Sequence, residues 1–471
     1  MITAIFDDHY HSFVTWRENG LRDLTCVHID AHLDVMSRSF SDSSLKAIAE
    51  AKTAAELEVF RGDARLPWGG FHCGNYLYPA LKDGTVKELI WVVPPHVIAG
   101  ETFVDGVRQE CQKWLDFRLE EYRSLRSVNG AVVGKLAGCD FTVCTADNFP
   151  ELSLSQRSNL ALDIDVDYFV RNSDDKIWQT PHDLFRKLGN LEPKVLTVAY
   201  SVDGGYTPLQ DRYLGKVTLD VFGEGDESKW EVETAKLLEI DELDDGEKSE
   251  SYSAFLKSAP DWLKPAILLR MGKGDEAIAY DPEYTLRPLN VASRFLNKKE
   301  FDQGLALLQK IETKELEALY IHAYLCLGKS DAVLAYKSLQ ELLQRLAPES
   351  LERSQILMTL AQACQQLGRD KECLTYANEA LTLEPKSAEL YFLLANSHRK
   401  MGAGKKAAKA VRKALRLAKG WVSSLPIMLE AAQIYDELGQ AALAKATRLE
   451  LEKIDESGRF AIRALLDESK L

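Results

Sequence analysis

Apolar and polar positions along the 471 residues follow two different rhythms. Up to about residue 222, short β-branched and aliphatic runs alternate with longer stretches of helical periodicity. The runs at 4–6, 26–29, 89–93, 141–143, 160–166 and 195–200 read as strands. The segment 107–126 spaces its apolar and charged residues as one amphipathic helix does. Strand alternating with helix predicts an α/β fold with a mostly parallel sheet, whose ligands bind at the carboxyl ends of the strands.

Between residues 223 and 253 the chain turns acidic, as in Glu239-Ile240-Asp241-Glu242-Leu243-Asp244-Asp245-Gly246-Glu247. Such a run reads as a solvated linker or surface helix. From about residue 285 the pattern is helical and repetitive. Ala361, Gly368 and Ala380 recur as Ala395, Gly402 and Ala414, each displaced by 34 residues, and Leu357 and Leu360 map onto Tyr391 and Leu394. Small residues at these places let two antiparallel helices approach closely, with the glycine at the turn between them. A further unit surrounds Ala432, Gly439 and Ala444, and weaker ones surround Gly328 and Phe301. This period resembles the tetratricopeptide repeat, whose arrays stack into all-α solenoids with a concave surface for peptides or partner proteins. The expected organisation is an α/β domain at 1–222, an acidic linker with connecting helices at 223–284, and repeats at 285–460.

Composition narrows the classes. With 46% hydrophobic residues the chain can bury substantial cores, and its length suits two or three of them. The 58 basic and 72 acidic residues leave a net charge of -14, which argues against a dedicated nucleic-acid binder and suits a cationic substrate better. The eight cysteines form no Cys-x-x-Cys pair, so a structural zinc site lacks support. The N-terminus reads as a strand rather than a signal peptide, and apolar stretches such as 89–93 are too short to span a bilayer. The expectation is a soluble, cytoplasmic protein without a membrane partner.

Two stretches carry chemistry. In Val27-His28-Ile29-Asp30-Ala31-His32-Leu33-Asp34-Val35 apolar and ionisable residues alternate, so on a strand His28, Asp30, His32 and Asp34 begin on one side. Leu162, Ile164 and Val166 likewise oppose Asp163, Asp165 and Asp167. Burying these carboxylates without a cation costs several kcal/mol per charge or forces protonation. A pair of divalent cations removes that penalty. Carboxylate and imidazole without thiolate favour manganese or magnesium.

Asp30-Ala31-His32-Leu33-Asp34 resembles the Asp-Ala-His-x-Asp motif of the arginase family. Ile164-Asp165-Val166-Asp167 resembles its later Asp-x-Asp motif, and Asp8-His9 its Asp-His after a first strand. The stretches Cys73-Gly74-Asn75-Tyr76-Leu77-Tyr78-Pro79-Ala80-Leu81, Ile90-Trp91-Val92-Val93-Pro94 and Ser201-Val202-Asp203-Gly204-Gly205-Tyr206-Thr207-Pro208 resemble a branch of the arginase/deacetylase superfamily that includes peptide arginases. Those enzymes convert arginine residues of ribosomally made peptides to ornithine. The resemblance covers roughly residues 1–215 and implies an arginase-like three-layer domain.

It further implies two manganese ions per chain, one held by His9, Asp30, Asp34 and Asp165, the other by Asp30, His32, Asp165 and Asp167. The second motif can be read two residues out of register, which leaves Asp163 as an alternative ligand. The implied reaction is attack of activated water on a guanidinium carbon, oriented by Asp34, with release of urea. His72 loosely resembles the family's proton-shuttling histidine. His11 and His28 could orient ligands, or simply pack, and His182 reads as a helix-start residue.

The strand at 195–200 lacks the glutamate with which small-molecule arginases grip guanidinium. Asp203 or Tyr206 could substitute. This departure moves the expected substrate from free arginine to arginine within a peptide or protein, held in part by the repeats. A deacetylase-like amide hydrolase and a non-catalytic repeat adaptor are the alternatives.

Overall fold

A computed structural model describes residues 1–37, 40, 42–61, 70–114, 117–151, 159–189, 191–285, 287–311, 315–348, 350 and 352–454. The chain divides into two compact units.

The first unit is built on an eight-stranded sheet. Its strands are β1 (Ile2–Phe6), β2 (Leu24–Ile29), β3 (Val86–Val92), β4 (Arg126–Val128), β5 (Ala131–Leu136), β6 (Cys139–Cys144), β7 (Leu160–Asp165) and β10 (Val195–Ala199). A separate short hairpin pairs β8 (Val170–Arg171) with β9 (Lys176–Ile177). The sheet order is β1-β10-β7-β2-β3-β6-β5-β4. The first six of these are mutually parallel and correspond to the six strands expected from the sequence. β5 and β4 extend the sheet antiparallel at one edge. β4 escaped the apolar pattern because it is exposed throughout. Their turn is Asn129-Gly130 with both residues at positive φ, the conformation that two-residue hairpins favour.

β7 and β10 are buried along their whole length, as parallel strands covered on both faces must be. On one face Ile29, Ile90, Leu162, Ile164 and Val198 share a core with Val217 and Val221 of the helix Tyr213–Glu224. On the other face Trp91, Asp163 and Thr197 are equally buried.

The structure corrects two expectations about the chain between these landmarks. The segment expected as one helix over 107–126 is instead two, Phe103–Trp114 and Leu119–Ser124. They fall in different units: the second is tied to the repeats, where Leu119 N donates to Gly420 O and Val422 N donates to Phe117 O. The acidic segment is folded into the first unit. Its helices Glu231–Asp241 and Asp245–Ser258, with Lys264–Arg270, place Leu237, Ile240, Tyr252 and Ile267 in the same core as the sheet. Arg270 pins them by reaching Asp211 at 2.6 Å and Asp241 at 3.0 Å. The helix pair Pro288–Asn297 and Phe301–Lys310 also belongs to the first unit, which runs to Glu312, so the boundary lies later than residue 284.

The second unit is a run of helical hairpins. Among the described residues these are Leu316–Gly328 with Ala332–Arg345, Arg353–Gln366 with Asp370–Leu383, Ala388–Lys400 with Gly404–Leu417, and Ser424–Glu437 with Ala441–Ile454. Ala361, Ala380, Ala395 and Ala414 are fully buried, where larger side chains would hold the helices apart. Gly368, Gly402 and Gly439 turn between helices at φ of +67°, +71° and +68°, a region glycine enters at no steric cost. The first hairpin uses Ser330 at φ 61° instead, which explains its weaker repeat signature.

Because Ile240 sits in the sheet's core, Ile240→Ala should cost the first unit about 2–5 kcal/mol in chemical denaturation. A solvated linker would feel the same change by no more than about 0.5 kcal/mol.

Candidate metal centre

Parallel pairing brings the carboxyl ends of β1, β10, β7 and β2 to one place, and the chain puts its ionisable residues there. His9 follows β1, Asp165 ends β7, Asp30, His32 and Asp34 follow β2, and Asp167 lies in the turn Val166–Phe169. Inter-strand register sets Thr197, Asp163 and His28 side by side, since Thr197 pairs with Asp163 and His28 pairs with Asp163 from the other side.

Three carboxylate oxygens converge on one imidazole nitrogen. His9 Nδ1 lies 3.2 Å from Asp30 Oδ2, 3.4 Å from Asp34 Oδ2 and 3.2 Å from Asp165 Oδ2. A second group shares Asp30: His32 Nδ1 is 3.5 Å from Asp30 Oδ1 and 2.8 Å from Asp167 Oδ2. The sets His9/Asp30/Asp34 and Asp30/His32/Asp167 are each close enough to hold a cation. His9 Nδ1 and Asp30 Oδ2 are buried and make no hydrogen bond among the described residues. Buried polar atoms left in this way call for an ion or water. Oxygen and imidazole donors around such atoms fit a hard divalent metal.

Asp163 is different. Its Oδ1 accepts from Ser12 Oγ and Thr197 Oγ1, both at 2.6 Å, and its Oδ2 accepts from Tyr76 OH at 2.5 Å. His28 Nδ1 stands 3.1 Å and His9 Nε2 3.2 Å from the same Oδ2. Protein donors fill both oxygens, so Asp163 acts as an anchor rather than an open ligand. Burial opposes the charged form of His9, yet Asp163, Asp165 and Asp30 raise its pKa well above the usual imidazole range. With Nε2–H directed at Asp163, loss of the Nδ1 proton would free that lone pair for a cation.

The electrostatics separate the aspartates in the same way. Burial opposes the charged form of Asp163, yet His9 and His28 hold its pKa well below the usual range. Burial and then Asp30 push Asp34 up to about 6. Burial and then Asp167 push Asp165 up to about 6, and burial with Asp167 and Asp165 raises Asp30. The anchor is stable as an anion, whereas Asp30, Asp34 and Asp165 are held close to one another at a cost.

Backbone geometry serves the same place. Asp34 and Ser201 occupy positive φ, 52° each, unusual for residues with side chains. Leu77 N fixes Asp34 by donating to its carbonyl, and Trp91 Nε1 donates to Asp30 O at 2.9 Å. Ser201 Oγ donates to Asp165 Oδ2 at 2.5 Å.

The remaining candidates divide. Tyr206 packs its ring edge-on against His32 with centroids 4.9 Å apart, at the partly exposed side of the centre. Asp203 is exposed and its carboxylate accepts from Asn290 Nδ2 at 2.7 Å, so it braces a loop and is not brought to the cluster. His72 caps the short turn Cys73–Asn75, its Nδ1 accepting from Gly74 N. Burial, then the Arg61 guanidinium, lowers its pKa to about 3. His28 joins the Asp163 network, while His11 packs on Phe6 and Tyr10. His182 lies in the first turn of the helix Pro181–Leu188, as expected.

Sequence reasoning missed the supports. Ser12, Tyr76, Thr197 and Ser201 hold Asp163 and Asp165, and Asp7 accepts from Val202 N and Asp203 N. The helix Pro288–Asn297 clamps the loop 201–208. Arg294 donates to Gly205 O and Tyr206 O at 3.2 and 2.6 Å, and a Cβ on Gly205 would stand 2.6 Å from Arg294 N. Thr197 was legible from strand register with Asp163. The clamp had no local signal.

Comparison with known proteins bears on the second unit. Residues 354–397 and 388–420 each match a tetratricopeptide-repeat family model. The hairpins within residues 354–420 are tetratricopeptide repeats. MamA from Desulfovibrio magneticus RS-1, from position 41 to its end, is 16% identical over 36% of this chain and 94% of its own, with a TM-score of 0.33. YrrB, a tetratricopeptide protein with an unusual peptide-binding site, is 16% identical over 42% of this chain and 97% of its own, with a TM-score of 0.32. No curated protein matches the chain in sequence. No helix among the described residues is long and apolar enough to cross a membrane.

In the metal-free protein Asp34 and Asp165 titrate at about 6 when folded, against about 3.9 when unfolded. The folded state therefore binds more protons in that window, and stability should fall as pH rises from about 4 to about 6. Manganese favours the ionised carboxylates and should flatten or reverse this slope. Thermal melts with chelator or manganese across that range test it, and an identical slope in both would count against the centre. Asp163→Asn should weaken manganese binding by about 10–100-fold in a calorimetric titration.

Proposed function

We propose that the first unit is a dimanganese hydrolase of guanidino groups, acting on arginine side chains within a peptide or protein to give ornithine and urea. The observation that carries this reading is the pair of donor groups sharing Asp30, with His9 Nδ1 and Asp30 Oδ2 buried, 3.2 Å apart and, among the described residues, without a well-aligned hydrogen bond. His9, Asp30, Asp34 and Asp165 would hold one ion, and Asp30, His32 and Asp167 the other, with Asp165 close by. Arginase-like chemistry and an arginase-like three-layer fold come from the sequence resemblance, and the geometry is compatible with both.

Bound metals would lower the pKa of water and so supply a nucleophile near neutral pH. The protein's own contributions follow from the positions of its groups. Asp34, beside Asp30 and His9, would orient the attacking water and accept its proton through its carboxylate. Asp163 keeps His9 in the required tautomer, and Ser201 holds Asp165. His32, partly exposed, and Tyr206 form the side by which a long side chain enters. As the bond from the guanidinium carbon to the side-chain nitrogen breaks, that nitrogen takes a proton and leaves as the ornithine amine. The other two nitrogens depart in urea. The tetratricopeptide repeats would bind the polypeptide that carries the arginine and raise its effective concentration.

The family matches favour, as a second reading, a repeat adaptor whose first unit does no chemistry. Elemental analysis should find two manganese ions per chain. Mass spectrometry of arginine-containing peptides should find a loss of about 42 Da with matching urea, the cyanamide unit carried off by hydrolysis. Asp30→Asn should abolish both metal binding and urea release. Absence of bound manganese, or metal without any urea from a broad peptide panel, would overturn the reading.

A further inference from the structure

The acidic chain contains one long exception. From residue 390 to 429 there is no aspartate or glutamate, yet the stretch holds Arg399, Lys400, Lys405, Lys406, Lys409, Arg412, Lys413, Arg416 and Lys419. Most of them lie on the helix Gly404–Leu417, the second helix of a tetratricopeptide hairpin. Its apolar side, Ala407, Ala408, Ala410, Val411 and Ala414, is buried in the repeat core. Lys405, Lys409, Arg412 and Arg416 recur at helical spacing on the opposite side and are exposed. Eleven steps of about 1.5 Å from Lys405 to Arg416 make this stripe about 16 Å long.

Among the described residues of the repeats no ion pair neutralises it. Glu430 and Glu437 pair with Arg399, and among the described residues no carboxylate reaches Lys405, Lys409, Arg412 or Arg416. Like charges three or four residues apart destabilise a helix. The second helices of the other hairpins mix their charges, with Glu341 in one, Asp370, Glu372 and Glu379 in the next, and Glu450 and Glu452 in the last. Unpaired cations on a buried scaffold are an electrostatic template for an anion.

We propose that this stripe is a docking surface for an acidic polypeptide segment of a partner protein. Its length matches about five residues of extended chain or about eleven of helix. Nucleic acid fits less well, because a longer polyanion would run past the stripe to Glu372, Glu379, Glu384 and Glu389 before it in sequence and Glu430, Asp436 and Glu437 after it, all on the same array of hairpins. A membrane surface fits less well too, because the helix's apolar side is already buried and offers nothing to insert. Charge complementarity of this kind chiefly sets encounter rate and partner choice. The proposal does not depend on the metal centre.

The test uses the full chain and a fluorescent peptide of alternating glutamate and alanine, about twelve residues long, followed by anisotropy. Binding should weaken steeply between about 50 and about 200 mM salt. The fourfold variant K405E/K409E/R412E/R416E should lose binding by about tenfold or more, and the fourfold glutamine variant by less. Equal melting temperatures and circular dichroism would show that the variants remain folded; if charge reversal unfolds the repeats, the glutamine variant alone decides. Asp30→Asn should bind the peptide like the parent, which separates this result from any failure of the hydrolase reading. The proposal falls if the folded variants bind the peptide as the parent does. It also falls if a short RNA or anionic vesicles bind more tightly through the same four residues.

Discussion

The first unit is organised around the cost of holding five carboxylates, Asp30, Asp34, Asp163, Asp165 and Asp167, in one buried space. Burial alone raises the free energy of each anion, and their mutual repulsion adds to it. Two remedies operate side by side. Asp163 is surrounded by hydroxyl and imidazole donors and stands as an anion without external help. Asp30, Asp34 and Asp165 have a thinner coat, with Ser201 Oγ and Asp167 N donating to Asp165 and His32 N to Asp30, and their Oδ2 atoms crowd His9 Nδ1. A fold that supplied donors to one aspartate could have supplied them to the others. Three oxygens pointed at one place are offset either by protonation, of His9 and of the raised Asp34 and Asp165, or by the cation of the proposed function.

That choice needs stiff surroundings, and the chain recruits them from far along its length. Asp7 holds the backbone of Val202 and Asp203, and Ser201 sits at positive φ to reach Asp165. Nearly ninety positions later, Asn290 and Arg294 grip the same loop. Gly205 admits that helix because no Cβ stands in the way. The family resemblance ends near residue 215, but the scaffold of the centre extends through the helix Pro288–Asn297. The helices between, acidic on their outer side, cover the sheet's core with Leu237, Ile240 and Tyr252 and carry the chain to that clamp.

What could be read from sequence was whatever repeats with the period of its own element. The six parallel strands are dense apolar runs, and the alternation around Asp30 and Asp165 exposes the site's ligand candidates directly. Thr197 and His28 could have been placed beside Asp163 once the strands were ordered, but sheet order is not written locally. Edge strand β4 has no buried side, so only its Asn129-Gly130 turn marks it. The acidic segment misled because charge reports the solvent face, whereas Leu237 and Ile240, spaced for the core, report the other. The sequence does not show that His72 is buried and caps the turn Cys73–Asn75 through Nδ1.

The strand that small-molecule arginases would use to present a glutamate spends its polar groups otherwise here. Thr197 serves Asp163, Ala199 pairs with Asp165 without a functional group, and Ser201 serves Asp165. Reintroducing a guanidinium clamp on β10 would thus compete with the supports of the centre itself. In the proposed reaction the grip must come from elsewhere, and binding energy from parts of a substrate remote from the reacting atoms can be used for positioning. A polypeptide bound by tetratricopeptide repeats has such remote parts; free arginine does not. Under the proposed function, the lack of a local clamp and the presence of a repeat array would be two consequences of one substrate choice.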